Sequence, residues 1–330
     1  MISQIGGLMH RFVTERIDSL LTEAEARQSC LAPLNRADKS ALQKYLRTDL
    51  VRSPHRSLYA RTDTWSSLSP HDRALWMARG LHTLHPEWVF SFYTAAALHG
   101  LYVPNRLLNQ IHVAHIGPTC QKSRGIIVHH CKKELEPAYV QGIPVTPLLE
   151  TTIDCLFRLN LTEGLPIADS ALRNLDISKR QFLDLIESSG QYGAFKASKI
   201  ALHANPLSES GGESMARAVM IEEGFALPEL QVPILHPLYK GRTYRVDFLW
   251  RLSGQSDVAG EFDGMVKLED EQMLKNHSVL QTLRQERNRE AALTSTGLRV
   301  MRFTYDDVRL GLPPCYAHEP LWHSPRCLSM

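Results

Sequence analysis

Three carboxylates near the C-terminal end of the chain have the types and the spacing of a divalent-metal site. Asp247 lies in an apolar, strand-like stretch at residues 244–250, and Glu261 and Asp263 lie two residues apart in the next such stretch. Residues two apart on a strand share a face, so these side chains are predicted to meet across a sheet. Carboxylates that close repel one another, and a hard cation such as Mg²⁺ or Mn²⁺ relieves the repulsion. Such a cation could activate water toward a phosphodiester.

Two charged residues nearby extend the metal hypothesis. Lys267 follows Asp263 by four residues, where its ammonium could orient the attacking water or meet the scissile phosphate. Glu213 lies on a predicted helix before the strands and could add an acidic ligand. Arg217, four residues further along that helix, leaves a helix-surface ion pair as the other interpretation of Glu213.

The same carboxylates also fit a structural role. In that alternative, Asp247 and Asp263 mark strand ends and form ion pairs with Arg245, Arg289 or Arg302. Spacing alone favours neither interpretation, because structural ion-pair networks and functional sites both gather charged groups on buried elements.

The elements that would position these side chains are predicted from apolar periodicity. Residues 213–310 show the order helix, strand, strand, helix, strand. In the first strand, Tyr244, Val246, Phe248 and Trp250 are predicted to share one face, so Asp247 points to the other. An aspartate in the middle of such a strand needs a partner.

The helix predicted at residues 270–293 carries Arg284 and Arg287 on its surface. A basic helix beside an acidic site could hold the DNA backbone. Glu286 and Glu290 interleave with these arginines, so an internally paired, solvated face is an equally good interpretation.

The N-terminal region is predicted to form a lobe with the order helix, helix, hairpin. Helices are expected at residues 22–30 and 40–49, and residues 51–60 have the composition of two short strands around a turn. That order is typical of a winged-helix module, and a small solvated helical lobe is the alternative. Positive charge for a DNA contact comes from Lys39, Lys44, Arg47, Arg52 and Arg56.

Glycine, proline and linker residues divide the chain into four predicted parts. Residues 1–69 form the N-terminal lobe, residues 70–204 a mixed α+β region, and residues 205–310 the unit that holds the carboxylates. Residues 311–330 carry four prolines and no periodicity, so they are predicted to form a flexible tail.

Composition narrows the classes of function. With 43% hydrophobic and 22% charged residues, the chain has the composition of a folded globular protein. Its net charge of +2 is small, so any nucleic-acid contact must come from a local patch. No phosphate-binding glycine loop of the nucleotide hydrolases occurs, which argues against a nucleotide cofactor. No apolar run approaches the roughly 20 residues that cross a bilayer, so no membrane contact and a cytoplasmic location are predicted.

Five motifs follow one another in the C-terminal unit. They are Glu213-Ser214-x-x-Arg217, Arg245-Val246-Asp247-Phe248-x-Trp250, Glu261-Phe262-Asp263-Gly264-x-x-Lys267, Glu286-Arg287-x-Arg289-Glu290-x-x-Leu293 and Gly297-Leu298-Arg299-Val300-Met301-Arg302-Phe303. The ordered set resembles the C-terminal domain of bacterial proteins related to the very-short-patch-repair endonuclease, within the PD-(D/E)xK superfamily. This resemblance implies a restriction-endonuclease-like α/β domain with a mixed central sheet.

The resemblance also implies roles for single residues. Asp247 and Glu261 match the superfamily's metal-binding acidic pair, and Glu213 matches the acidic residue on its first helix. The superfamily usually has Lys two residues after the Glu, whereas this chain has Asp263 there. The basic role would therefore move to Lys267, and catalysis could be slow or absent without an ammonium near the attacking water.

A second resemblance concerns the N-terminal half. The stretch at residues 91–101, Ile111-His112-Val113, residues 142–146 and Thr152-Ile153-Asp154 are similar to the AbiEi antitoxin family of type IV toxin/antitoxin systems, including its winged helix. The similarity covers much of residues 36–175 and implies a role linked to DNA, with the protein's own promoter or a cognate toxin as partner.

Together these features predict an α+β multidomain protein that is a Mg²⁺-dependent DNA endonuclease, positioned on DNA by a winged helix and active in defence or repair. The first alternative is a non-catalytic DNA-binding regulator or antitoxin with a degenerate nuclease domain. The second is an interaction protein that neutralises a toxin.

Overall fold

The computed structural model of the protein describes residues 2–117, 123–239, 241–254, 256–263 and 277–310, with the backbone alone at 2–12, 277–283 and 285. The chain is a mixed α+β protein with two compact units, Met1–Cys155 and Leu156–Met330. The predicted α+β multidomain class is confirmed at this level. The division into four parts stays a prediction, and the predicted tail at 311–330 lies outside the described residues.

The first unit begins with a helical lobe. Its elements are α1 (Ile2–Ala26), α2 (Arg36–Arg47), β1 (Val51–Arg52), β2 (Ala60–Arg61) and α3 (Thr62–Ser67). The Asn35 side chain caps α2 by accepting the N–H of Asp38 at 2.8 Å. Leu42 and Tyr59 pack against Leu21 in the core of the lobe. The order helix, helix, hairpin is as predicted, although α1 ends four residues earlier than the helix expected at 22–30.

A five-stranded mixed sheet forms the rest of the first unit. The elements are α4 (Pro70–Leu84), β3 (Val89–Phe90), α5 (Phe92–Leu98), a 3₁₀ helix (Asn105–Asn109), β4 (Ile111–Ile116), β5 (Ile127–Lys132), β6 (Ala138–Val140), β7 (Ile143–Val145) and α6 (Leu148–Leu156). The strand order is β5-β4-β3-β7-β6, with β4–β5 and β3–β7 parallel. Phe90, Val113 and Val145 lie in its core.

The second unit packs helices on a four-stranded mixed sheet. Its elements are α7 (Leu161–Asn174), α8 (Lys179–Ser188), α9 (Ala194–His203), α10 (Gly211–Glu222), β8 (Glu229–Leu235), β9 (Thr243–Trp250), β10 (Val258–Phe262), α11 (His277–Ser295), β11 (Arg299–Phe303) and α12 (Tyr305–Arg309). The strand order is β11-β10-β9-β8, with β10–β11 parallel and the other pairs antiparallel. Strand β8 was not predicted.

The two faces of this sheet carry separate cores, and β9 changes face at Asp247. Val246 packs with Leu249 and Leu293, whereas Phe248 and Trp250 pack in the other core. The prediction that Val246 and Phe248 share a face with Trp250 is therefore wrong. Strand β9 itself is continuous, and the alternation fails opposite Gln231 of β8, which has a φ of 52° and is left out of the β8–β9 pairing together with Asp247.

Of the helices that the structure describes, none is both long and apolar enough to span a bilayer.

Candidate functional site

Asp247 lies where the β9–β10 ladder ends. The antiparallel register runs through the pair Gly260 and Phe248, and the next N–H of β10 that faces β9 belongs to Phe262. That N–H donates to the Asp247 Oδ2 atom at 2.9 Å instead of to a backbone carbonyl. The Asp247 side chain thus satisfies a donor that lies past the last β9–β10 pair, which fixes the carboxylate at the end of that ladder.

Glu213 approaches Asp247 from the first turn of α10. The Ser210 side chain caps this helix by accepting the Glu213 N–H at 3.1 Å, and Glu213 Oε2 accepts the Glu209 N–H at 2.8 Å. Gln231 on β8 joins the two carboxylates, because its Nε2 donates to Glu213 Oε2 at 3.0 Å and lies 3.3 Å from Asp247 Oδ1. Sequence reasoning missed Gln231, a polar residue inside the mostly apolar stretch at 229–235.

Gly212 allows α10 to come this close to the sheet. A Cβ atom at residue 212 would lie 2.0 Å from the Phe262 ring, a distance that no side chain can adopt without displacement of the ring or the helix. Phe262 in turn is the residue whose N–H binds Asp247. The Gly212–Phe262 contact thus links the start of α10, which carries Glu213, to the residue that donates to Asp247.

Glu261 completes the group from β10. Its Oε1 accepts a hydrogen bond from Arg289 of α11 at 2.7 Å, and the same guanidinium donates to the Arg245 carbonyl at 2.6 Å. Arg289 was predicted as a possible partner of Asp247 or Asp263, and it pairs instead with Glu261.

Asp263 is engaged elsewhere. Its carboxylate pairs with Arg302 of β11 at 2.7 Å, and Arg302 also lies 3.8 Å from Glu290 of α11. This is the ion pair that the structural alternative predicted for Asp263. The structure thus brings Glu213, Asp247 and Glu261 together, turns Asp263 to Arg302, and leaves Lys267 outside the described residues. We call Glu213, Asp247 and Glu261 the acidic cluster.

Electrostatics within the acidic cluster are unfavourable. Burial raises the pKa of Glu213, and the negative charge of Asp247 raises it further, although hydrogen bonds from Glu209, Ser210 and Gln231 oppose the shift. Burial likewise raises the pKa of Glu261, with Arg289 lowering it and Asp247 raising it. Asp247 therefore acts on both neighbours, as expected of three carboxylates gathered at one sheet end.

The acidic cluster as placed does not fit a divalent cation. Among the described residues no group of three His, Cys, Asp or Glu side chains could hold a metal ion. Both oxygens of Asp247 have hydrogen-bond donors, and Arg289 occupies an oxygen of Glu261. Each of these oxygens keeps a second lone pair, but the positive charge of Arg289 on Glu261 opposes the binding of a cation there.

Arg217, the other charged residue of α10 considered in the sequence analysis, pairs with residues outside the acidic cluster. Arg217 is buried and pairs with Asp169 of α7 at 2.7 Å, and it donates to the His203 carbonyl at 2.6 Å. The helix-surface pair of Arg217 with Glu213 is therefore not formed.

Positive charge lies close to the acidic cluster. A cavity of about 410 Å³ opens beside Gln231 and is lined in part by Arg173, Glu209 and Arg245. Arg284 and Arg287, which were predicted to contact DNA, are both exposed on α11.

The N-terminal lobe carries the second group of predicted site residues. Ala41 and Leu42 of α2 are buried, whereas Lys39, Lys44 and Arg47 are exposed. Arg52 on β1 and Arg56 in the turn after it are exposed as well. Arg36, Ser40 and Gln43 lie on the same face of α2 by helical spacing and were not predicted. We call this exposed face of α2, with Arg52 and Arg56, the basic face.

Comparison with known proteins gives distant likenesses. No family model matches the chain. Two proteins of Mycobacterium tuberculosis, Uncharacterized protein MT2308 of strain CDC 1551 / Oshkosh and Uncharacterized protein Rv2248 of strain ATCC 25618 / H37Rv, are each 29% identical over 217 residues, which cover 66% of this chain and 74% of theirs. The crystal structure of RV2827C protein from Mycobacterium tuberculosis is similar at 14% identity and a TM-score of 0.32, covering 62% of this chain and 78% of that one. Function is therefore inferred from the geometry of the chain itself.

Proposed function

We propose that the protein is a DNA-binding regulator whose N-terminal lobe contacts duplex DNA through the basic face. The observation that carries this proposal is the division of α2, which buries Ala41 and Leu42 and exposes Lys39, Lys44 and Arg47. In helix-turn-helix proteins the second helix of a helical pair enters the major groove, and flanking elements contact the backbone.

The chemistry of the basic face suits a duplex. Lysine and arginine bind phosphates, and the central Ser40 offers a hydrogen bond to a base edge, whereas the Gln43 amide donates to the Tyr59 hydroxyl at 3.0 Å within the lobe. Arg52 and Arg56 extend the positive charge onto the hairpin, in the place of a wing. The resemblance to AbiEi antitoxins makes the protein's own promoter the first operator to test and a cognate toxin the expected protein partner.

The test is binding of the full-length protein to labelled duplex DNA, measured by fluorescence anisotropy over a range of salt concentrations. The double variant Lys44→Glu, Arg47→Glu should weaken binding and lower the slope of log affinity against log salt by about 2, since each phosphate contact contributes roughly 0.9. Lys196→Glu with Lys199→Glu is the matched control, because it reverses two exposed charges three residues apart on α9. Equal effects of both double variants would refute a specific contact by α2.

A second candidate function is a metal-dependent DNA endonuclease, favoured by the accumulation of Glu213, Asp247 and Glu261 at one sheet end. Because the acidic cluster as placed does not fit a cation, no catalytic step is derived for it. Supercoiled plasmid incubated with Mg²⁺, Mn²⁺ or EDTA tests this function. Metal-dependent nicking that the Asp247→Ala, Glu261→Ala variant loses would establish the endonuclease and replace regulation as the proposed function of the protein.

A further inference from the structure

A cavity of about 690 Å³ lies between the β8–β9 turn and one face of α11. The turn contributes His236, Tyr239 and Arg242, β9 contributes Tyr244, and α11 contributes Asn288. The volume is within the range of roughly 300–1,000 Å³ that is typical of small-ligand sites. Neither the acidic cluster nor the basic face contributes to its lining.

Three aromatic rings in this cavity adjoin one another. The His236 ring lies 4.7 Å from the Tyr239 ring and 5.1 Å from the Tyr244 ring, measured between centroids. His236 Nδ1 accepts the backbone N–H groups of Leu238 and Tyr239 at 3.1 and 3.2 Å, so the turn backbone holds its ring. Tyr239 is 56% exposed, and its ring is therefore available to a ligand.

The charge of the cavity is positive. The Arg242 guanidinium lies 5.2 Å from the centroid of the Tyr239 ring, and it is the only Arg or Lys among the described residues that line the cavity. Among the described residues that line the cavity there is no carboxylate. The complementary ligand has a planar ring for stacking and a negative group for Arg242, and Asn288 supplies a donor and an acceptor.

We propose that this cavity binds an unpaired nucleobase with its phosphate, as presented by single-stranded DNA. A base stacks on the tyrosine rings, its phosphate pairs with Arg242, and the amide of Asn288 contacts the edge of the base. Stacking of a base on an aromatic side chain is the common mode of single-strand binding. The site is distinct from the duplex contact proposed for the basic face and does not depend on it.

The experiment uses the full chain with Lys44→Glu and Arg47→Glu already in place, so that α2 contributes little, and a labelled oligothymidylate as probe. Tyr239→Ala and Arg242→Ala should each weaken binding by roughly 5- to 100-fold, and Tyr239→Phe should restore it to within about twofold because the ring remains. Tyr192→Ala is the matched control, since Tyr192 is fully exposed in the same unit but does not line the cavity. The three side chains, those of Tyr192, Tyr239 and Arg242, are exposed, so folding is checked by circular dichroism and expected to be unchanged.

An abasic oligonucleotide of the same length separates base from phosphate. Weaker binding of the abasic probe supports the proposal, and equal binding overturns it in favour of a phosphate contact alone. Unchanged affinity in Tyr239→Ala and Arg242→Ala also overturns it. Tighter binding of an acidic, aromatic peptide that the same variants abolish would instead make the cavity a peptide site. Duplex binding is measured separately, so failure here leaves the regulator proposal intact.

Discussion

Glu213 and Arg217 lie one turn apart on α10 and carry opposite charges into two different environments. Arg217 meets a buried carboxylate, that of Asp169, and a backbone carbonyl. Glu213 is equally buried, but its donors are the Glu209 N–H and the neutral amide of Gln231, and it faces the charge of Asp247. The first arrangement gives each buried charge an opposite partner, and burial still raises the pKa of Asp169 to about 6 and lowers that of Arg217. The second retains unfavourable electrostatic energy of the kind that functional sites tolerate.

The largest expected effect is at the ion pair of Asp169 and Arg217, which we call the compensated region because each buried charge there has an opposite charge beside it. Asp169→Ala should lower the free energy of unfolding by about 3–5 kcal/mol, because it leaves the Arg217 charge buried without its partner. Urea denaturation of the full chain measures this loss. Asp184→Ala is the control, since that carboxylate pairs with Arg180 at 2.9 Å on the exposed face of α8 and should cost less than about 1 kcal/mol. Similar losses in both variants would remove the distinction between the buried and the exposed pair.

In the acidic cluster we expect a substitution to raise the free energy of unfolding, by less than Asp169→Ala lowers it. Burial and Asp247 raise the folded-state pKa of Glu213, so folding favours its protonated form. That contribution to stability is complete below the ordinary carboxyl pKa and is lost as pH rises through the raised folded-state value. Glu213→Gln should therefore be more stable than the unchanged protein at neutral pH, and the difference should vanish in acid.

Chemical denaturation across a pH series measures this difference. Glu187→Gln removes an exposed carboxylate on α8 and controls for the loss of one negative charge. A destabilised Glu213→Gln variant at neutral pH would show that the hydrogen bonds from Glu209 and Gln231 outweigh the repulsion by Asp247.

The smallest effect is expected at Asp263. Its partner Arg302 is 30% exposed and Asp263 34%, so water screens the pair. Arg302→Gln should cost roughly 0.2–1 kcal/mol, and the cost should shrink further at high salt because exposed charges are screened. Denaturation at low and high salt measures it. A salt-independent loss comparable to that of Asp169→Ala would group Asp263 with the compensated region.

Sequence spacing predicted the helices and strands that carry these charged residues better than it predicted which residues pair with each other. The adjacency of Asp247 and Glu261 follows from neighbouring antiparallel strands, which strand patterning supplies. The pairing of Arg217 with Asp169 joins residues 48 positions apart, and only the packing of α10 on α7 decides it over the nearer Glu213. The partner of Asp263 likewise depends on β11, which lies beside β10 through a crossover.

Strand β8 shows a second reason why part of the candidate site was not predicted from the sequence. Pro233 and Gln231 interrupt its apolar pattern, and proline normally argues against a central strand. The strand is at the edge of the sheet, where a missing N–H is tolerated. An edge position cannot be known before the order of the strands is known, and Gln231 was lost from the predicted site for that reason.

The hydrogen bond from Phe262 to Asp247 has a spectroscopic consequence. Most sheet amides donate to neutral carbonyls, whereas this one donates to a titratable carboxylate through a 2.9 Å contact. The amide proton resonance of Phe262 therefore responds to any change in charge at Asp247, whether a proton, a cation or a nucleic acid causes it. One backbone signal reports from inside the acidic cluster without any added label.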